Sequence, residues 1–227
     1  MTQIQSTNVF HRQLTEPMPV AVSGTGAYLV DSTGKQYIDA SGGAAVSCLG
    51  HNHPKVTSAI VRQAQSLAFA HTAFFTSEPA ENLAQFLTAS APEGIDHVYF
   101  LSGGSEATES ALKIARQYFV EKGEHSRSTF ISRRQSYHGN TLGALSVSSS
   151  VGRRKSFLPL LTDAINIDPC YAYRHREDSE SAEAYAQRAA NQLEQAILEA
   201  GPENIIGFIA ETVGGATAGV LMPEPGY

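Results

Sequence analysis

From residue 95 onward, short apolar runs alternate with long stretches whose apolar residues recur every three or four positions. This feature most constrains the fold, because a 2-residue and a 3.6-residue period cannot share one backbone conformation. Val98–Leu101 reads as a short strand, and Ser102-Gly103-Gly104-Ser105 as a tight loop. Ala107, Ala111, Ile114, Ala115 and Tyr118 predict a long helix, ended by Lys122-Gly123. Thr129–Ser132 predicts the next strand, and Tyr137-His138-Gly139-Asn140 a turn into a short helix. Residues 148–180 read as polar and irregular, with a basic trio at Arg153-Arg154-Lys155. Ser181–Ala200 predicts a second long helix, with Tyr185, Ala189, Leu193, Ala196 and Ile197 inward and Gly201-Pro202 as its stop. Ile205–Ala210 is the most apolar strand candidate. Strand–helix alternation predicts an α/β fold, a parallel-rich sheet flanked by helices on both faces.

The first part of the chain has a different texture. Tyr28–Val30 and Tyr37–Ile38 flank Asp31-Ser32-Thr33-Gly34, a β-hairpin with a Gly-terminated turn. A glycine-rich loop from Ser41 to Pro54 leads into a helix running to about residue 69, with Val56, Ala59, Ile60, Ala64 and Leu67 on its buried face. A second helix opens at Ser77-Glu78-Pro79, has Leu83, Phe86 and Leu87 inward, and closes at Ala91–Gly94. A formal net charge of −6 argues against a general nucleic-acid-binding surface. No apolar run reaches membrane-spanning length, and the N-terminus lacks a signal pattern. Cys48 and Cys170 are expected to be reduced and mostly buried, as in a cytoplasmic protein. His51 and His53 lack the further ligands that a metal site needs, so loop and helix capping is their expected use.

Residues that could carry chemistry lie at the ends of the predicted strands. Gly103, Gly104 and Ser105 open a long helix, where free N–H groups and the positive end of the dipole favour an anion such as a phosphate monoester. An ordinary helix capped by Ser102 or Ser105 explains the same residues. Tyr137 could stack on a flat heterocycle with His138 beside it, or could simply be buried in a turn. Glu211 closes the most apolar strand before Gly214-Gly215, where open α/β sheets bind ligands, or is a solvated strand end.

Taken together and in order, these segments resemble a known family. The stretches GAYLVDSTGKQYIDASGGAAVSCLGHNHPKV, VYFLSGGSEATESALKIARQY, SYHGNTLGALSVS and IIGFIAETVGG are similar to the entry segment, phosphate cup, ring-stacking turn and cofactor-side strand of class III, pyridoxal-phosphate-dependent aminotransferases. The resemblance spans residues 20–227. It implies PLP fold type I, pyridoxal 5'-phosphate as cofactor, and a cytoplasmic homodimer acting on a small-molecule amino donor and a 2-oxo acid acceptor, with no nucleic-acid or membrane partner. It implies that Gly103, Gly104 and Ser105 hold the cofactor phosphate, that Tyr137 stacks on the ring with His138 beside it, and that Glu211 lines the site. It also implies a small-domain segment over residues 1–55 and a partial large cofactor domain over 56–227, truncated before its end. Thr212 departs from the family, which usually has Pro there.

The larger departure is an expected absence. The family's Schiff-base lysine and the acid that pairs with the ring nitrogen lie downstream of the Glu211 strand, so the lysine is expected beyond Tyr227. The five lysines present (Lys35, Lys55, Lys113, Lys122 and Lys155) do not follow a strand aimed at the cup. The full-length parent is therefore expected to transaminate. The 227-residue chain alone is expected to be inactive. The alternative is a catalytically incomplete module that binds cofactor phosphate weakly or pairs with a separate chain.

Overall fold

The computed structural model describes residues 7–13, 15–215 and 217–227, with the backbone alone at 44 and 45. The chain divides into two compact units, Met1–His97 and Val98–Tyr227.

The first unit holds an antiparallel meander of β1 (Ala21–Thr25), β2 (Tyr28–Asp31) and β3 (Gln36–Ile38). The predicted hairpin is β2–β3, and Gly34 takes φ +87°, a conformation that glycine adopts without strain. Asp31 organises the turn. Its carboxylate accepts the Thr33 hydroxyl at 2.6 Å, the Thr33 and Lys35 amides at 2.8 and 3.0 Å, and the Tyr37 hydroxyl at 2.8 Å. These donors, led by the Thr33 hydroxyl, draw its pKa down to about 2. Asp39 repeats the device in the glycine-rich segment. It accepts from Ser41 and Ser47 at 3.0 Å each and pairs with His51 Nε2 at 2.9 Å. The Ser41 hydroxyl is the largest cause of a pKa near 2. Within this segment lies a short helix, α1 (Gly42–Ala45).

Two helices follow, α2 (Pro54–Ser66) and α3 (Glu78–Thr88), each with proline in its first turn. His53 occupies the N-cap position of α2, but its side chain makes no cap bond and its Nδ1 is buried without a partner. Capping by histidine side chains thus holds for His51 alone, through Asp39. Cys48 is exposed, against the expectation of a buried thiol, and Cys170 is buried.

The second unit is a three-stranded parallel sheet in the order β5-β4-β6. Its strands are β4 (Thr129–Arg133), β5 (Ile165–Ile167) and β6 (Ile205–Ile209). Around them run α4 (Gly104–Glu121), α5 (Leu142–Val147), α6 (Val151–Arg154), α7 (Ala172–His175) and α8 (Ala182–Ala200). In register, Ile131 of β4 lies between Ile165 of β5 and Phe208 of β6. The core forms where α8 covers the sheet: Ile131, Ile167, Ala196 and Ile205 are buried, with Leu193 and Ile197 packed on them. A second cluster joins Cys170, Tyr185 and Ala189. The buried Tyr185 hydroxyl accepts the Tyr171 amide at 2.6 Å, and burial pushes its pKa up. Ser181 caps α8 through the Ala184 amide at 3.1 Å.

Three expectations are corrected. Val98–Leu101 is not a strand, because none of the described strands pairs with it and a strand exists only through its partner's hydrogen bonds. The 148–180 segment is not wholly irregular, since α6, β5 and α7 lie within it. The predicted inward faces of α2, α3 and α4 bury no described residue: Ile60 is 63% exposed, Phe86 74% and Ile114 55%. The apolar periodicity is present, but these faces stay largely exposed.

Candidate active site

The candidate residues of the second unit sit at the C-terminal ends of β4 and β6 and at the start of α4. Gly103 is the N-cap of α4 in extended backbone (φ −166°), a conformation open to any residue. A Cβ at Gly103 or Gly104 would meet nothing within 4 Å. Neither backbone strain nor crowding by the chain demands glycine there. What a Cβ would obstruct is a ligand approaching the first N–H groups of an 18-residue helix. The expected serine cap is not made, since the N-cap residue is Gly103 and has no side chain. Instead the Ser102 amide donates to Glu106 Oε2 at 3.2 Å.

Ser105 Oγ accepts the Asn140 N–H at 2.9 Å. A hydroxyl has one proton to give, and with its oxygen engaged by Asn140 that proton remains for an anion. The donor set therefore suits a phosphate.

Tyr137 and Glu211, 74 residues apart in sequence, are brought together: the Tyr137 amide donates to Glu211 Oε2 at 3.2 Å. Glu211 Oε1 accepts the Gly215 amide at 3.4 Å, and the Glu211 carbonyl accepts from the Arg133 guanidinium. The Tyr137 ring is 37% exposed, and the Arg153 guanidinium stands 4.6 Å from its centroid. A flat ring could share the stack opposite Arg153 or displace it. The larger groove, about 470 Å³, runs along β5 and α8 and contains none of the candidate residues. Behind Glu211 a cavity of about 10 Å³ has room for one water at most.

His138 is tied at both backbone ends, its N–H to Ser148 Oγ at 2.8 Å and its carbonyl to Thr108 Oγ1 at 2.7 Å. Its Nε2 is buried without a partner. Burial lowers its pKa, Glu211 opposes that shift and Arg133 adds to it. The folded state thus prefers the neutral imidazole. The stability His138 contributes is complete above its ordinary value of 6.5 and is lost as pH falls through the lowered folded value. His138→Gln is expected to flatten the melting temperature against pH below 6.5; a profile parallel to wild type would refute this assignment.

Sequence reasoning placed Asn140 in a turn and Glu109 beside the helix dipole without a site role for either, and it left Thr108, Arg133 and Ser148 unmarked. A signal existed for Thr108 and Glu109. Ser105, Thr108 and Glu109 stand at i, i+3 and i+4 on one face of α4, a polar stripe beside the predicted apolar one.

Known proteins resemble the chain over most of its length. A profile of the aminotransferase class-III family matches residues 9–227. An uncharacterized aminotransferase of Schizosaccharomyces pombe is 40% identical over 220 residues, which is 96% of this chain and 48% of that protein. The putrescine–pyruvate aminotransferase of Pseudomonas aeruginosa is 32% identical over 219 residues, again 96% of this chain and 48% of the relative. Among solved structures, the omega transaminase of Pseudomonas jessenii in complex with PMP superposes with a TM-score of 0.87 at 32% identity, over 93% of this chain and 47% of that one. The chain spans about half the length of the curated relatives it matches. Its fold is that of the corresponding part of these transaminases, PLP fold type I. By its ordered motifs, its fold and the extent of the match, the chain belongs to the aminotransferase class-III family.

Proposed function

We propose that the whole protein is a pyridoxal 5'-phosphate-dependent transaminase that moves an amino group between an amine or amino acid and a 2-oxo acid. The observation that carries this reading is that one turn ties to both neighbouring elements, its Tyr137 amide to Glu211 beyond β6 and its Asn140 amide to Ser105 at the start of α4. When bound, the cofactor supplies a carbonyl for amines and a ring that withdraws electrons. The chain's own residues bind and orient it. Gly103 and Gly104 let the phosphate reach the helix N–H groups, and Ser105 donates its remaining proton to it. Tyr137 offers a ring face, with His138 beside it. Glu211, held by the Tyr137 and Gly215 amides, would present a fixed carboxylate to the bound cofactor.

Residues 1–55 are proposed as small-domain segment and 56–227 as part of the large domain. A homodimer is proposed as well; the exposed apolar stripes of α2 and α3 support a covering partner. Cytoplasmic location is proposed from the low cysteine content.

The lysine question becomes narrower. Lys122 lies at the far end of α4, about 27 Å from its start, and pairs with Glu124 at 3.2 Å. Lys35 lies 4.7 Å from the Tyr37 ring in the hairpin. Lys155 is the one to watch, because it follows α6, whose Arg153 touches Tyr137. The test is to load the full-length protein with pyridoxal phosphate, reduce with borohydride, and map the adduct while separately assaying transfer from putrescine to pyruvate and from alanine to 2-oxoglutarate. One adduct per chain together with amino transfer is expected. Folded protein with neither refutes the transaminase reading. Adduct formation by the 227-residue chain at Lys155 would remove the incomplete-module alternative.

A further inference from the structure

Three side chains on one face of α4 reach across to the 138–143 turn. Ser105 Oγ accepts the Asn140 amide at 2.9 Å, Thr108 Oγ1 donates to the His138 carbonyl at 2.7 Å, and Glu109 Oε1 accepts the Gly143 amide at 2.9 Å. The packing between these elements leaves no slack. A Cβ on Gly139 would stand 2.9 Å from Ser105 Cα, and one on Gly143 would collide with the Glu109 carboxylate. At Gly139 the close contact is with helix backbone, which limits how far the turn can shift on α4, whereas at Gly143 it is with the end of the Glu109 side chain. One end of the clasp is the Gly103–Ser105 start of α4, and the other leads directly into Tyr137.

We propose that Glu109 is a positioning residue that holds the Tyr137–Gly139 turn in register with the Gly103–Ser105 start of α4. The proposal rests on the pyridoxal phosphate reading of the site. A ligand anchored at its phosphate and stacked through its ring needs both supports at a set separation, and a misplacement of about 1 Å is costly. Thr108 restrains a carbonyl through a neutral hydroxyl. Glu109 instead restrains an amide through a carboxylate, which makes the stronger, charge-assisted bond. Its reach also explains the glycine at 143, whose backbone needs no special φ.

The test uses the full-length protein and three readouts: hydrogen exchange of amides 137–147 without cofactor, the dissociation constant for pyridoxal phosphate, and the melting temperature without cofactor. Glu109→Ala is expected to raise exchange in that segment about tenfold and to weaken cofactor binding about tenfold, with little change in melting temperature. Glu109→Gln, which keeps an acceptor oxygen, is expected to restore most of both. Gly143→Ala is expected to weaken binding by collision, and its combination with Glu109→Ala to cost less than the two separately. Unchanged exchange or unchanged binding in Glu109→Ala overturns the proposal. So does a binding loss that tracks melting temperature and that Glu109→Gln does not restore, since that is a merely structural role. A wild-type protein that binds no pyridoxal phosphate overturns the functional reading and the positioning role with it, while raised exchange in Glu109→Ala still reveals the clasp as structural.

Discussion

Replacing Gly139 by alanine is expected to destabilise the protein by about 4 kcal/mol. Two separate penalties combine. Gly139 sits at φ +143°, a region essentially closed to residues with a Cβ. The new Cβ would also stand 2.8 Å from Ala144 Cβ and 2.9 Å from Ser105 Cα, the latter a backbone atom of a long helix that cannot give way. Relief requires the turn to move off α4, which breaks the Asn140–Ser105 bond and shifts Tyr137. Equilibrium denaturation measures the loss, and cofactor titration measures the shift. A stability change below about 1 kcal/mol would mean that the turn relaxes freely. The tight packing would then not be what places the aromatic ring.

Ile131→Ala carries the second large effect, about 3 to 4 kcal/mol. Ile131 is wholly buried on the central strand and packs with Ile167, Ala196 and Ile205 beneath α8. Neighbouring strands hold the main chain on both sides, so the site has little capacity to collapse around the missing atoms. β4 also delivers Arg133 and, beyond it, the turn that carries Tyr137, so loosening the core is expected to reach the site. Leu198→Ala is the control. Leu198 lies on the same α8 but is 65% exposed, and its truncation is expected to cost about 0.5 kcal/mol. Denaturation midpoints for the two variants that fall together would show that the sheet–α8 interface is not the core.

Particular elements show how much could be read from the chain. α8 was legible because Tyr185, Ala189, Leu193, Ala196 and Ile197 recur with helical period and the partner surface, the sheet, lies within the same unit. α2 and α3 were legible as helices but not as buried helices, since periodicity reveals a face and says nothing of what covers it. β5 escaped notice because three residues are too few to display alternation. Its place is set by distant residues: it pairs with β4 through the backbone, and Asn166 Nδ2 donates to Ser132 Oγ at 2.8 Å across 34 residues. Val98–Leu101 erred the other way, with strand composition and no partner among the described strands.

The sequence by itself determined the long helices, the hairpin turn that contains Asp31, the candidate side chains at Gly103–Ser105, Tyr137, His138 and Glu211, and the family. These follow from local periodicity, turn stereochemistry and ordered motifs, all of which operate within a few residues. Only the tertiary structure decided that the Tyr137 amide meets Glu211, that the Ser105 oxygen is engaged by Asn140, and that Glu109 clasps Gly143. Those contacts join residues 34 to 74 positions apart, and their geometry is set by the packing of α4, β4 and β6. Hydrogen bonds are short and directional, so chemistry written along a chain becomes a site only when packing brings its parts to within about 3 Å.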